Sequence, residues 1–477
     1  MWSSKVAHKY KFLNVSEKIN HDAVVYNLSP RISSSDTPVI ACSSEYWAIP
    51  YAGGGGPVFL SKIDACGKID PATAHLACLN GHKAECLSIA FSPFAPHVLA
   101  TGGDDAAVVL WDANREEIGR SSVRLGTHAT SVRDLVFHPT ASGILLSCGA
   151  DGHLVLWDLE RSAEALEFGG AGGISLEFSY DGRLVVASGR DRTLRAVDMR
   201  CAEVAWACVP HEGSRSFRAT WAGENLVASA GPSGNVGREI ALVDPRFLGG
   251  GGGGVAARKQ VDTQTGVLLP HYSEETGVLW VWGRGDATAR HYEVTAGDLV
   301  PGLEWRTASG RPHAGVAALP SRCLDVGNLE IARFLRLTTT TVDTVSYSVA
   351  RTPDLKSYFN DDIYPLRGAR APDPALHAPD WLDGRDELPK LVTLRPDGAP
   401  LLSERKVESK VLNTAVVNRR LEHEKHQRAY DHAQYERLTA LANQFEKYQP
   451  NNSMGSRPGV DAAPVDGDDV ADDEWDD

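Results

Sequence analysis

Cysteine is sparse in this chain and never paired. Eight thiols (Cys42, Cys66, Cys78, Cys86, Cys148, Cys201, Cys208 and Cys323) stand singly among 477 residues, with no CxxC. That pattern argues against a zinc site or a disulfide framework and suits reduced thiols in a cytoplasmic protein. Long apolar runs are missing as well: no segment is long enough to span a bilayer, and MWSSKVAHKYKF lacks the apolar centre of a signal peptide. No GxxxxGK[ST], HExxH or GxSxG occurs in suitable surroundings. The glycine runs Gly53–Gly56 and Gly249–Gly254 fit GxGxxG trivially, but neither opens a helix after a strand, so both read as loops. The expectation is a protein with no catalytic residue, no metal and no cofactor. A basic-aromatic stripe is also lacking, which argues against a nucleic-acid partner. Bases are absent from the end of the chain, where residues 461–477 carry nine acids. Removing those nine charges from the net −14 leaves −5 for the body, so the acidity is concentrated in a tail.

What is present is a repeat. Residues 79–112 read LNGH, FSP, LATGGDD, VVLWD in order, and residues 125–158 read LGTH, FHP, LLSCGAD, LVLWD. Trp111 and Trp157 are 46 residues apart, at or just beyond the WD40 spacing of ~40–45. A unit of this kind cannot bury its own apolar face, so it must be one blade of a ring. Weaker copies keep the beat at 172–200 (tight turn at Asp191), 211–244 (entered through His211) and 266–293 (Asp286 in the turn). Segments 35–64 and 301–349 supply the first and last blades. The expected fold is all-β, a seven-bladed WD40 β-propeller. Asp105 lies six residues before Trp111 and Asp151 six before Trp157, while Thr101 and Ser147 precede those aspartates by four. In WD40 proteins such side chains, with His82 and His128, join in a buried hydrogen-bond chain. A buried carboxylate without partners would cost several kcal/mol. The two histidines are therefore structural, since the same trio recurs from blade to blade.

Three later segments narrow the reading. LDVGNLEIARFLRL (324–337), VARTPDLKSYFNDDIYP (349–365) and PDPALHAPDWLDGRD (372–386) together resemble the post-propeller signature of the coronins, as Lys9–Phe12 (KYKF) resembles their N-terminus. The resemblance covers about residues 5–405. It implies that KYKF adds an outer strand to the last blade, closing the ring, and that 351–403 packs on the propeller floor. Leu355, Tyr358, Phe359, Ile363, Tyr364, Pro365, Trp381 and Leu382 are too apolar for a free linker, and the prolines there discourage helix. The expected organisation is a propeller over 1–350, the extension over 351–403, a helical segment over 404–448 and a disordered acidic tail over 449–477. A coiled-coil register through 404–448 would place Glu424, Arg428 and Asp431 in its seam, which departs from the usual oligomerising coronin end and leaves oligomeric state open.

The chain ends in ADDEWDD. Asp472, Asp473, Glu474, Trp475, Asp476 and Asp477 resemble the acidic motif with which Wiskott–Aldrich-type promoters bind the actin-related protein 2/3 complex. Carboxylates attract a basic groove at long range and the indole anchors. The coronin resemblance also implies a cytoskeleton-associated cytoplasmic protein whose propeller binds actin filaments through basic residues. Arg133, Arg190, Arg192 and Arg195 are the candidates here. The alternative is a trafficking or ubiquitin-ligase adaptor scaffold of the long-coronin type, with little filament binding.

Overall fold

The computed structural model describes residues 9–405 apart from 19–23, 33–35, 115–121, 171, 235–236, 249–252 and 296. Its described residues form seven sheets, antiparallel but for one short parallel pair in the last, arranged as the blades of a propeller. Blade 2 shows the pattern. Cys86–Phe91, Val98–Gly103, Ala107–Asp112 and Ser122–Thr127 pair in sequence order. Alternation drives this: Val109 and Trp111 point into one inter-blade core, and Val108 points into the next. Each blade thus fills the gaps on both its sides, which a lone blade could not do.

Blades and sequence repeats are out of phase. The outermost strand of blade 1, Cys78–Leu79, belongs to the second repeat, just ahead of His82. Blade 3 runs from Val132 to Phe168, blade 4 from Gly173 to Cys208, blade 5 from Arg218 to Asp262 and blade 6 from Leu268 to Arg306. Blade 7 takes Gly315–Ala318, Glu330–Leu337 and Thr341–Val349 from the end of the propeller. Its fourth strand comes from the start of the chain. Leu13–Glu17 pairs antiparallel with Thr341–Val349, from Leu13 opposite Val349 to Glu17 opposite Val345.

That closing strand begins just after the expected KYKF. In Leu13–Glu17 the apolar residues Leu13 and Val15 turn to the core while Asn14 and Ser16 face water, whereas Lys9–Phe12 forms turn and bend ahead of the strand. Tyr10 is buried instead, with its hydroxyl 3.4 Å from the Ile363 carbonyl, whereas Phe12 is exposed. The KYKF segment therefore anchors the chain start to the C-terminal extension.

The extension is packed under the ring. Phe359, Ile363 and Tyr364 join the blade 6–7 core, and Trp381 is fully buried against blades 3 and 4. The prolines permit two short helices here, Pro353–Lys356 and Ala378–Leu382. Each has proline in its first turn, where the missing N–H has no intrahelical partner to lose. Leu376–His377 adds in parallel to Ala141–Ser142 of blade 3. The Arg200 guanidinium covers the Trp381 ring at 5.1 Å and also bonds Asp386 at 2.8 Å. The glycines Gly53–Gly56 form the hairpin loop of blade 1.

Candidate partner-binding surfaces

The repeat histidines are absorbed by the fold. His82 sits between the Asp105 carboxylate (2.9 Å from Nδ1) and the Thr101 hydroxyl (2.7 Å from Nε2), and the Trp111 indole N–H donates to that hydroxyl at 2.8 Å. In blade 3 His128 Nε2 lies 2.6 Å from Ser147 Oγ, which accepts from the Trp157 indole at 2.8 Å. Burial opposes ionisation of Asp105, but the Lys83 backbone N–H and His82 outweigh it and hold the carboxyl below its usual range. Burial pushes His128 down.

In blades 2, 3 and 4 a glycine two positions before the turn aspartate makes room for the group that meets it. A Cβ on Gly103 would lie 2.3 Å from Asp105 Oδ1 and 2.6 Å from His82 Nδ1. On Gly149 it would lie 2.3 Å from Asp151 and 2.9 Å from His128. The cradle persists where the histidine is gone. In blade 4 Arg195 takes its place, grasping both oxygens of Asp191 and lowering that carboxyl to about 2. In blade 6 Arg238 crosses from blade 5 to bond Asp286 (2.6 Å) and Asp262 (2.8 Å). Blade 5 keeps His211, bonded to Ser229 at 2.8 Å, but replaces the turn aspartate with Glu239 at 2.9 Å.

The turns holding these groups open onto the face opposite the extension. There lies a 520 Å³ funnel walled by Asp36, Glu85, Asp104, Arg133, Arg190 and Arg215. The structure separates the four candidate bases. Arg190 and Arg192 are exposed on the blade 4 turn, although Arg192 donates to the Glu212 carbonyl at 3.4 Å. Arg133 is half-buried, its Nε shielded and unpaired at the funnel wall. Arg195 is spent on Asp191. Below them Asp134 accepts from Ser88 (3.4 Å), the Leu176 N–H (3.0 Å) and Arg218 (2.9 Å), tying blade 3 to blades 2, 4 and 5. Asp472 to Asp477, Trp475 among them, and nearly all of 404–448 lie outside the described residues.

Several organising groups carried no signal in the sequence. Arg336 is buried between Asp343 (2.7 Å) and Glu17 on the closing strand. His138 accepts the Ala141 N–H at 2.9 Å, lies edge-on to Phe178 and Trp381, and is pushed down to about 4 by burial and by nearby Arg200. Nothing in the local pattern distinguishes these residues from surface charge; only their neighbours do. Among the described residues no group of three or more His, Cys, Asp or Glu side chains could hold a metal ion, and no helix is long and apolar enough to cross a membrane.

Residues 74–112, 119–158 and 165–198 match the WD domain, G-beta repeat family. The third stretch runs from the outer strand of blade 3 through the first three strands of blade 4 and has Val-Asp where Trp-Asp would stand. The fold is similar to the WD40 domain of Toxoplasma gondii coronin, with a TM-score of 0.73 and 26% identity over 81% of this chain and 98% of that one. The sequence is 33% identical over 401 residues to Coronin-A of Dictyostelium discoideum, covering 82% of this chain and 86% of that protein. With that identity over most of both proteins, this chain belongs to the coronin family.

Proposed function

We propose that the protein is a non-enzymatic regulator of the actin cytoskeleton, acting in the cytoplasm. Its propeller holds a filament or another protein, and its acidic tail docks on the actin-related protein 2/3 complex. The observation that carries the second half is the terminal ADDEWDD, one indole among carboxylates, attached to a coronin body. The tail supplies long-range attraction and Trp475 the desolvated anchor. For filament binding, Arg190 and Arg192 are the exposed bases of the four candidates, with Arg133 beside them at the funnel. Arg195, already neutralised by Asp191, contributes to blade geometry instead.

The test is binding of the full chain and its Trp475→Ala variant to purified actin-related protein 2/3 complex across a salt series. Binding that weakens with salt and falls at least about tenfold with Trp475→Ala is expected for an anchored acidic tail. Binding indifferent to Trp475, or absent, sinks the docking role. In parallel, Arg190→Ala/Arg192→Ala should reduce co-sedimentation with filaments; an unchanged pellet fraction would remove those bases from the proposal.

A further inference from the structure

On the extension side of the ring, a cleft of about 500 Å³ separates blades 4 and 5. Its size is that of a ligand site, within the usual ~300–1,000 Å³. Trp206 from the outer strand Glu203–Cys208 and Trp221 from the first strand of blade 5 line it. The two indoles differ. Trp221 is buried and donates its N–H to the Glu177 carbonyl at 3.3 Å, so it belongs to the core. Trp206 is only half-buried, and its N–H has no partner among the described residues.

Charge around the cleft is one-sided. Asp181, Asp198, Glu203 and Glu224 line it against a single base, Arg183. That base is already engaged by Asp386 of the extension at 3.3 Å. Asp181 accepts from the Ser179 hydroxyl at 2.5 Å, and Asp198 lies 3.6 Å from Arg200. Glu203 and Glu224 are exposed and have no partner among the described residues, so their charges can meet a ligand.

We infer that this cleft is a docking site for a basic peptide segment of a partner protein, an arginine stacking on Trp206 with its charge met by Glu203 and Glu224. A guanidinium over an indole gains from the ring quadrupole as well as from carboxylates, and its donors are planar and forked. A neutral apolar ligand would leave the free carboxylates unmatched, and an acidic one would be repelled. The surface shares no lining residue with the funnel, so occupancy here would leave the funnel available.

The experiment uses the full-length chain and a fluorescein-labelled octapeptide of alternating arginine and leucine, followed by anisotropy. Binding is expected to weaken with salt and to fall about tenfold in Glu203→Gln/Glu224→Gln and in Trp206→Ala, while Glu164→Gln, an exposed acid on blade 3, leaves it unchanged. The double glutamine variant alters exposed residues only and should melt as the parent does, so its result stands even if Trp206→Ala disturbs packing. Equal affinity in parent and double variant would mean that the probe is held elsewhere, for instance by the acidic tail, and would overturn the assignment. Absence of binding to the parent at millimolar peptide would overturn it equally.

Discussion

Blades 2 and 3 differ from blades 6 and 7 in how they satisfy buried polar groups. In the former, a histidine bridges toward a hydroxyl that also takes a tryptophan N–H. In the latter, arginines are held between carboxylates: Arg238 between Asp262 and Asp286, Arg336 between Asp343 and Glu17. The first arrangement is local, since His82, Thr101, Asp105 and Trp111 all come from one repeat. The second is long-range, since Arg336 reaches across the chain to the closing strand and Arg238 from one blade to the next. A repeat can therefore lose its motif and keep its blade, provided that a neighbour supplies the missing charge.

The largest test of that contrast is Arg336→Met. It strands Asp343 and Glu17 in a buried site, and breaking a buried pair by removing one partner costs about 3–5 kcal/mol. Chemical denaturation should show that loss, and adding Asp343→Leu should recover a substantial part of it. If the single variant were as stable as the parent, the ion cluster would not hold the ring shut. Smaller, at about 1–3 kcal/mol, is the expected cost of Thr101→Val, which preserves shape but leaves His82 Nε2 and the Trp111 N–H without their shared partner. A neutral outcome would reduce the blade 2 chain to packing alone.

Acid sharpens the comparison with the smallest effect. His138 in blade 3 has its folded pKa lowered to about 4, and His128 is also lowered by burial. A depressed histidine contributes stability above its unfolded value of about 6.5 and loses it as pH falls toward the folded value. Between pH 7 and 5 the loss through His138 should be on the order of 1–2 kcal/mol. In blade 7, burial opposes ionisation of Glu17, but Thr307, the Ala308 N–H and Arg336 together hold it below its usual range. Its contribution therefore persists until pH drops below the ordinary carboxylate range. Denaturation at the two pH values checks this: His138→Gln should remove only its own share of the difference, because burial also lowers His128, His291 and His313; an undiminished difference in the variant would exclude His138 as a source.

The propeller was legible where chemistry was local. His82 to Trp111 and His128 to Trp157 announce their blades because each bonding chain closes within one repeat. The post-propeller segments were legible because Tyr364 and Trp381 are too apolar for a linker, and both proved buried. The closing strand was misplaced by a few residues because KYKF alternates polar and apolar residues as Leu13–Glu17 does, and only the pairing of Leu13–Glu17 with Thr341–Val349 tells the two apart. Arg195 read as a surface base because nothing in its own stretch shows that it fills the histidine's place over Gly189.

The sequence by itself determined the repeat, the all-β class, the acidic asymmetry of the chain and its family. All of these rest on periodicity, composition or motif order, which are properties of neighbours along the chain. Only the tertiary structure decided which arginines are spent inside the ring and which remain on a face, that Glu17 pairs with a residue 319 positions away, and that two free carboxylates share a cleft with a half-buried tryptophan. Those outcomes depend on distances of a few ångströms between segments far apart in sequence, because charge and hydrogen bonding act through space.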